Sequence, residues 1–292
     1  AITSPHYRHK NKYKVWPMYD FYNAIEDSIM GITLVLRSNE FDLRVELQDY
    51  IKELLKLKRQ DVVQYGRFNV VEFTTKGREI RELIESKELL GWDDPRLITL
   101  KALKRRGIQK EAIYQLTEQV GLSKSQVNLE FDLIAAINRK IIDADSLRFS
   151  FIADPVEIKI LNQPKIKSIK VPIHPDKKET RLQKINKIFI SKEDLERFRG
   201  KEIRLLHLFN MKLDKKEAKA EFISEENKDI PKINWVSDFV DCSILMPDGN
   251  LVAGIADAAI TRLKNSDVVQ FERFGFARMD NSSRREFWFA HK

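Results

Sequence analysis

The spacing of apolar residues changes twice along this chain, and no single regular architecture accommodates all three patterns. Asp20 to Ile29 carries Phe21, Ala24, Ile25 and Ile29 at helical spacing, and Gly31 breaks the helix before the continuous run Ile32-Thr33-Leu34-Val35-Leu36. Such a run is expected of a strand buried on both faces. Lys14 to Tyr19 reads as a short strand ahead of it, and Glu40 to Leu57 as a helix with Leu43, Leu47, Tyr50, Ile51, Leu54 and Leu55 in one apolar stripe. This order belongs to an open α/β sheet, but one with too few strands to be complete.

Between Gly91 and Arg148 helices take over. Asp93-Asp94-Pro95-Arg96 is a helix-start signal, and the periodic segments Ile98–Arg106 and Glu111–Val120 each stop at a glycine, Gly107 and Gly121. Leu129 to Ile142 reads as a third helix. Beyond Phe149 the pattern alternates, in segments 156–160, 166–171, 187–190, 202–210, 241–246, 267–274 and 286–289, with Pro247-Asp248-Gly249-Asn250 as a hairpin turn. Short strands at that spacing predict a barrel or a pair of barrels.

Composition narrows the function. With 292 residues, 42% apolar and 33% charged, the chain is long enough for more than one core. A formal charge of +8 favours a polyanionic partner, nucleic acid first. Cys242 is the sole cysteine, so neither an internal disulfide nor a multi-thiolate zinc site is available, and no other metal-ligating set stands out. His174, His207 and His291 have no carboxylate or cysteine at ligand spacing and read as structural or exposed; the four tryptophans read as packing residues. Every long apolar run is interrupted by charge, and Ala1-Ile2-Thr3-Ser4-Pro5-His6 lacks the apolar core of a secretory signal. The expected setting is cytoplasmic.

The most distinctive string is Gly91-Trp92-Asp93-Asp94-Pro95-Arg96-Leu97, followed by Thr99-Leu100-Lys101-Ala102-Leu103-Lys104-Arg105-Arg106-Gly107-Ile108. By itself it describes a well-capped helix with a basic face. It also closely resembles a segment of class I glutamyl- and glutaminyl-tRNA synthetases of the archaeal and eukaryotic type. Met18-Tyr19-Asp20-Phe21 with Ile25-Glu26-Asp27 and Gly31-Ile32-Thr33, then Tyr65-Gly66-Arg67-Phe68-Asn69, then Val269 to Phe276 resemble the same family in order and spacing. The resemblance covers essentially the whole chain. It implies the second half of a Rossmann-like catalytic domain over residues 1–92, a small helical domain contacting the tRNA stem over 93–150, and two anticodon-binding β-barrels over 151–292.

The resemblance also implies a chemistry: ATP, as its Mg2+ complex, activates glutamate to glutamyl-adenylate, and the amino acid passes to tRNA(Glu), with tRNA(Gln) as a further candidate acceptor. Tyr19, Asn23 and Arg37 fall where glutamyl enzymes hold their amino acid; glutaminyl enzymes carry cysteine in place of Arg37. A guanidinium fork fits a carboxylate bidentately, which a neutral amide does not match. The plainer alternative pairs Arg37 with Glu40. Arg67 and Phe68 would face the adenine. The lysine-bearing signature loop of the family falls on Thr75-Lys76-Gly77-Arg78-Glu79, with Gly77 where the lysine is expected, so Thr75, Lys76 and Arg78 become the phosphate-binding candidates. Leu34 replaces a polar residue usual in relatives.

Arg96, Lys101, Lys104, Arg105, Arg106 and Lys110 form an acid-free basic run expected to meet tRNA phosphates. The residue matching Arg148 reaches the anticodon in this family. Lys165, Lys167, Lys170, Lys177, Lys178 and Arg181 are candidates for the same surface. The His-x-Gly-His signature is missing, because His6-Tyr7-Arg8-His9 has arginine where close phosphate approach needs glycine. The expectation is therefore a C-terminal part that needs an N-terminal half, with a non-catalytic tRNA-binding relative or a glutaminyl enzyme fragment as alternatives.

Overall fold

A computed structural model describes residues 5–71, 73–74 and 76–292. The chain is mixed α/β with several separate sheets, and divides into two compact units, residues 1–71 with 117–129 and residues 72–116 with 130–292.

In the first unit, helix α1 (Tyr19–Ile29) precedes strand β1 (Leu34–Ser38), and helix α2 (Val45–Leu54) precedes strand β2 (Asp61–Tyr65). β1 and β2 pair in parallel, with Arg37 opposite Gln64. Strand β3 (Phe68–Val70) pairs in parallel with β4 (Val127–Leu129). The strand expected over Lys14–Tyr19 does not form. Pro17 has no N–H to give a ladder, and the Met18 carbonyl accepts instead from the Phe21 and Tyr22 N–H groups, at 3.0 and 3.2 Å, opening α1.

Burial in this unit runs opposite to expectation. Leu34 and Leu36 are exposed, and Arg37 between β1 and α2 is buried. On α2 and its flanks the apolar stripe is also outward: Leu43, in the 3-10 turn Asn39–Arg44 ahead of α2, Leu47, Tyr50, Leu54 and Leu55 are exposed, while Gln48 and Lys52 are buried. The covered polar face of α2 lies against the Arg37 guanidinium. That guanidinium needs polar partners, and the polar face of α2 supplies one in Gln48. Periodicity found the stripe but could not say which face would be covered.

The second unit contains helices α3 (Gly77–Glu85), α4 (Leu100–Arg106) and α6 (Phe131–Ile142); α5 (Lys110–Val120) runs from this unit into the first. The Thr99 hydroxyl accepts from the Ala102 N–H at 3.1 Å and caps α4, and Gly107 at φ 99° ends it in the left-handed conformation read from the sequence.

Two sheets follow. The seven-stranded one runs, in spatial order, Leu147–Phe149, Val268–Phe271, Gly275–Asn281, Glu286–His291, Phe239–Leu245, Leu251–Asp257 and Phe151–Ala153. Its two edge strands are separated only by Ser150, which brings one end of each edge together. Phe149, Phe151, Ile244, Phe271, Met279 and Phe287 fill its interior. The six-stranded sheet begins at Ile188–Ser191 and ends at Lys232–Ile233, around Ile190, Ile203, Leu205, Phe209, Met211 and Trp235. Its edges also approach, through the Phe189–Val236 bridge. The single strand expected over 202–210 is two, Glu202–Leu205 and Asn210–Leu213, because the chain reverses through His207 at φ 61°. The turn at Pro247–Asn250 forms as read, closed by the Met246 N–H donating to the Asn250 carbonyl at 2.8 Å.

Candidate functional site

Three expected side chains meet in the first unit. Tyr19 and Asn23 lie one turn apart on α1, and Arg37 arrives from β1. The Arg37 Nη2 donates to Asp27 Oδ2 at 2.7 Å, and its Nη1 donates to the Gln48 side-chain oxygen. Asn23 donates to the same Asp27 oxygen. The Tyr19 ring centre is 5.7 Å from the Arg37 guanidinium carbon. Arg37 does not pair with Glu40; the Arg67 guanidinium takes Glu40 at 2.8 Å.

The floor around Arg37 is polar. Gln64, opposite Arg37 across the strand pair, has both amide atoms buried without a partner among the described residues, as do Gln48 Nε2 and Ser38 Oγ. Buried polar atoms left unpaired are costly and concentrate where a ligand can complete them. Asp27 entered the sequence reading only within the family-like string Ile25-Glu26-Asp27, and Gln48 not at all; neither was expected at the site. Tyr19, Asn23 and Asp27 recur at every fourth residue of one helix, a signal legible beforehand; Gln48 carried none beyond being a polar break in an apolar stripe.

Arg67 and Phe68 are exposed where β3 begins. In the second unit Lys76 precedes α3 and pairs with Glu79 at 2.8 Å, and Arg78 pairs with Glu82 at 3.0 Å. Hydrogen bonds from Lys76 and Thr74 hold the Glu79 carboxyl below its usual range. Both cations are exposed, and Gly77 is the first residue of α3. Thr75 lies outside the described residues.

The basic run around α4 divides by helix face. Lys101, Lys104 and Lys110 are exposed. Arg96 forks onto the buried Asp94 carboxylate at 2.8 Å from both Nε and Nη2 and also donates to the Glu88 carbonyl. Arg105 forks onto Asp280 at 2.9 and 2.8 Å, reaches Asp93 at 2.8 Å, and lies 4.0 Å over the Trp288 ring. Arg106 is 1% exposed, donates to the Phe289 and Ala290 carbonyls, and sits 4.4 Å over Phe131. Burial draws its pKa down to about 10. Its position, four residues after the buried Ala102, turns it inward.

Arg148 is half-buried on the strand Leu147–Phe149 and pairs with Asp143 at 3.0 Å. Arg181, read as a surface cation, is instead held by the buried Asp257 carboxylate. His174 and His291 are buried, His291 against Asn138 at 2.9 Å, and Trp235 and Trp288 are core residues. Among the described residues no cluster of three or more His, Cys, Asp or Glu could hold a metal ion, and no helix is long and apolar enough to cross a membrane.

The chain carries a parallel strand pair flanked by helices, a helical segment and two large sheets, and sequence comparison gives the class. The family model described as "tRNA synthetases class I (E and Q), catalytic domain" matches residues 2–144. Two models described as the "anti-codon binding domain" of the same synthetases match residues 146–229 and 212–280. The chain belongs to the family of class I tRNA synthetases for glutamate and glutamine. Among curated relatives, a protein of Pyrococcus abyssi named glutamate–tRNA ligase is 37% identical over 291 residues, covering 94% of this chain and 51% of the relative. Proteins of the same name from Pyrococcus furiosus and Methanocaldococcus jannaschii are 37% and 32% identical, covering 94% and 99% of this chain and 50% and 54% of the relatives. The chain spans about half the length of the curated relatives it matches.

Proposed function

We propose that this chain is the C-terminal part of a glutamate–tRNA ligase, which forms glutamyl-adenylate from glutamate and ATP and transfers the glutamyl group to tRNA(Glu) once joined by an N-terminal half. The observation that carries this reading is the convergence of Tyr19, Asn23 and Arg37 on one buried polar floor. A guanidinium has five N–H donors, and the contacts to Asp27 and Gln48 use two, leaving donors for a substrate carboxylate. Asp27 fixes the fork in one orientation, so little rotamer freedom is lost when a carboxylate arrives. A glutamine amide offers one acceptor oxygen to the remaining N–H donors where a carboxylate offers two, which is why the reading favours glutamate.

Activation needs no protein nucleophile. The glutamate α-carboxylate attacks the α-phosphorus of ATP, pyrophosphate leaves, and the terminal ribose 2′-hydroxyl of the tRNA then displaces AMP. What the protein supplies is position and charge. Arg67 and Phe68 would meet the adenine, and Lys76 and Arg78 the phosphates, each releasing its surface glutamate to do so. Mg2+ would arrive on the ATP phosphates; the described residues build no metal site of their own, so no step is routed through one.

In this reading residues 1–92 are the second half of the Rossmann-like domain, 93–150 the helical stem-contact domain, and 151–292 two anticodon-binding barrels, supported by the approaching edges of both large sheets. Lys101 and Lys104, with Arg96 and Arg105 already tied to carboxylates, would face tRNA phosphates, while Arg106 serves as an internal clamp. Arg148 would reach the anticodon. A cytoplasmic setting goes with this role.

A second reading, a tRNA binder without catalysis, is favoured by Gly77 and Leu34 and by the neutralised Lys76 and Arg78. Glutamate-dependent pyrophosphate exchange separates the two. The chain alone should bind tRNA and give no exchange, and adding the N-terminal half of a relative should restore it. If the halves associate and exchange stays absent, the non-catalytic reading holds.

A further inference from the structure

We infer that Arg181 is a positioning residue for Arg148: its guanidinium, locked onto the buried Asp257 carboxylate, grips the Arg148 main chain and so sets where the Arg148 side chain meets RNA. The inference rests on the proposed role of Arg148 at the anticodon. It adds a residue that the basic-surface reading had placed in solvent.

Arg148 lies on an edge strand of the seven-stranded sheet, bonded on one side to Val268–Phe271. An edge strand leaves backbone groups free on its other side, and an edge is where a strand's geometry is least defined. Here a separate hairpin, Ser168–Pro172 with Thr180–Lys184, covers that side. The Arg148 N–H donates to the Ile173 carbonyl at 2.9 Å, and Arg181 Nη1 donates to the Arg148 carbonyl at 2.6 Å. Both backbone groups of Arg148 are thus held by the hairpin.

The hairpin is anchored in turn. Arg181 Nη2 donates to Asp257 Oδ2, with the two side chains only 11% and 6% exposed, and the guanidinium carbon lies 5.0 Å over the Phe149 ring. Asp257 ends the strand Leu251–Asp257, and its N–H donates to the carbonyl of Ser150, the residue between the two edge strands. One guanidinium therefore joins the hairpin, the strand bearing Arg148 and the junction of the two edge strands. A planar fork with separate nitrogens fits both acceptors at once; a lysine ammonium would have to reach both oxygens from one nitrogen on a shorter side chain, so it holds the pair less well.

The test uses the full chain, unmodified tRNA(Glu), and the same tRNA with one anticodon base changed. Arg181→Lys should keep the folded state, read by thermal melting, yet lose about tenfold in affinity for the unmodified tRNA and most of its preference over the altered one. In an Arg148→Ala background the same change should have no further effect on affinity. Arg181→Lys binding and discriminating as the parent does would overturn the inference, as would additive losses in the double variant. Arg148→Ala that leaves affinity and discrimination untouched would instead remove the anticodon role of Arg148.

Discussion

Arg37 and Asp27 form a partly buried ion pair, 2.7 Å between Nη2 and Oδ2, in which the carboxylate also receives Asn23. One acidic group on α1 therefore orients two of the three side chains proposed to hold the amino acid. Replacing it by Asp27→Asn keeps the shape and removes the charge that fixes the guanidinium. With the complementing half present, glutamate KM should rise by about tenfold while kcat changes little. A fall in kcat at unchanged KM would contradict the positioning role.

Arg37→Cys goes further and removes the donor fork. Exchange supported by glutamate should drop by at least ~100-fold, with relative preference shifting towards glutamine. Measuring both amino acids side by side checks the assignment, because a variant that still selects glutamate places recognition elsewhere.

Gly66 sits where the chain passes against the Ser123–Gln126 turn. Its N–H donates to the Ser123 carbonyl at 2.7 Å, and a Cβ there would lie 2.0 Å from the Ser125 carbonyl oxygen. Backbone cannot retreat as a side-chain tip can, so Gly66→Ala should destabilise the first unit by about 2–3 kcal/mol. Urea unfolding followed by a probe in that unit gives the value.

Asp94 offers a pH signature. Burial pushes its carboxyl up, but the Arg96 guanidinium and the Leu90 and Arg96 N–H groups outweigh it and hold the group below the usual carboxylate range. A carboxyl lowered in the folded state contributes stability above its unfolded value, 3.8, and loses it as pH falls through the folded one. Asp94→Asn should therefore cost about 1–3 kcal/mol at pH 7, with the gap to the parent narrowing below about pH 4. Melting curves at pH 7 and pH 3 decide it.

Arg105 joins α4 to the strand Gly275–Asn281 through Asp280, and stacks on Trp288. Being about one-third exposed, the group should contribute modestly: Arg105→Ala is expected to lower stability by about 1–2 kcal/mol, and Arg105→Lys to recover only part. Equal stability of the lysine variant and the parent would mean that the fork and the stacking add nothing.

Much of this protein was written in local sequence. Gly107 ended α4, Pro247–Asn250 made the predicted turn, and alternation marked the strand cores, because caps, turns and pleats depend on residues within a few positions of each other, whereas the helix start read at Asp93–Arg96 fell instead at Thr99. Tyr19, Asn23 and Arg37 were legible as a set through family spacing. Tertiary structure alone decided which face of α2 would be covered, that Gln48 and Asp27 would complete the Arg37 site, and that Arg106 and Arg181 would turn inward while Lys101 and Lys104 stayed in water. A charged residue looks the same in sequence whether it meets solvent or a buried acceptor; only the arrival of Phe289, Ala290 or Asp257 from distant segments, with the desolvation they offset, separates the two.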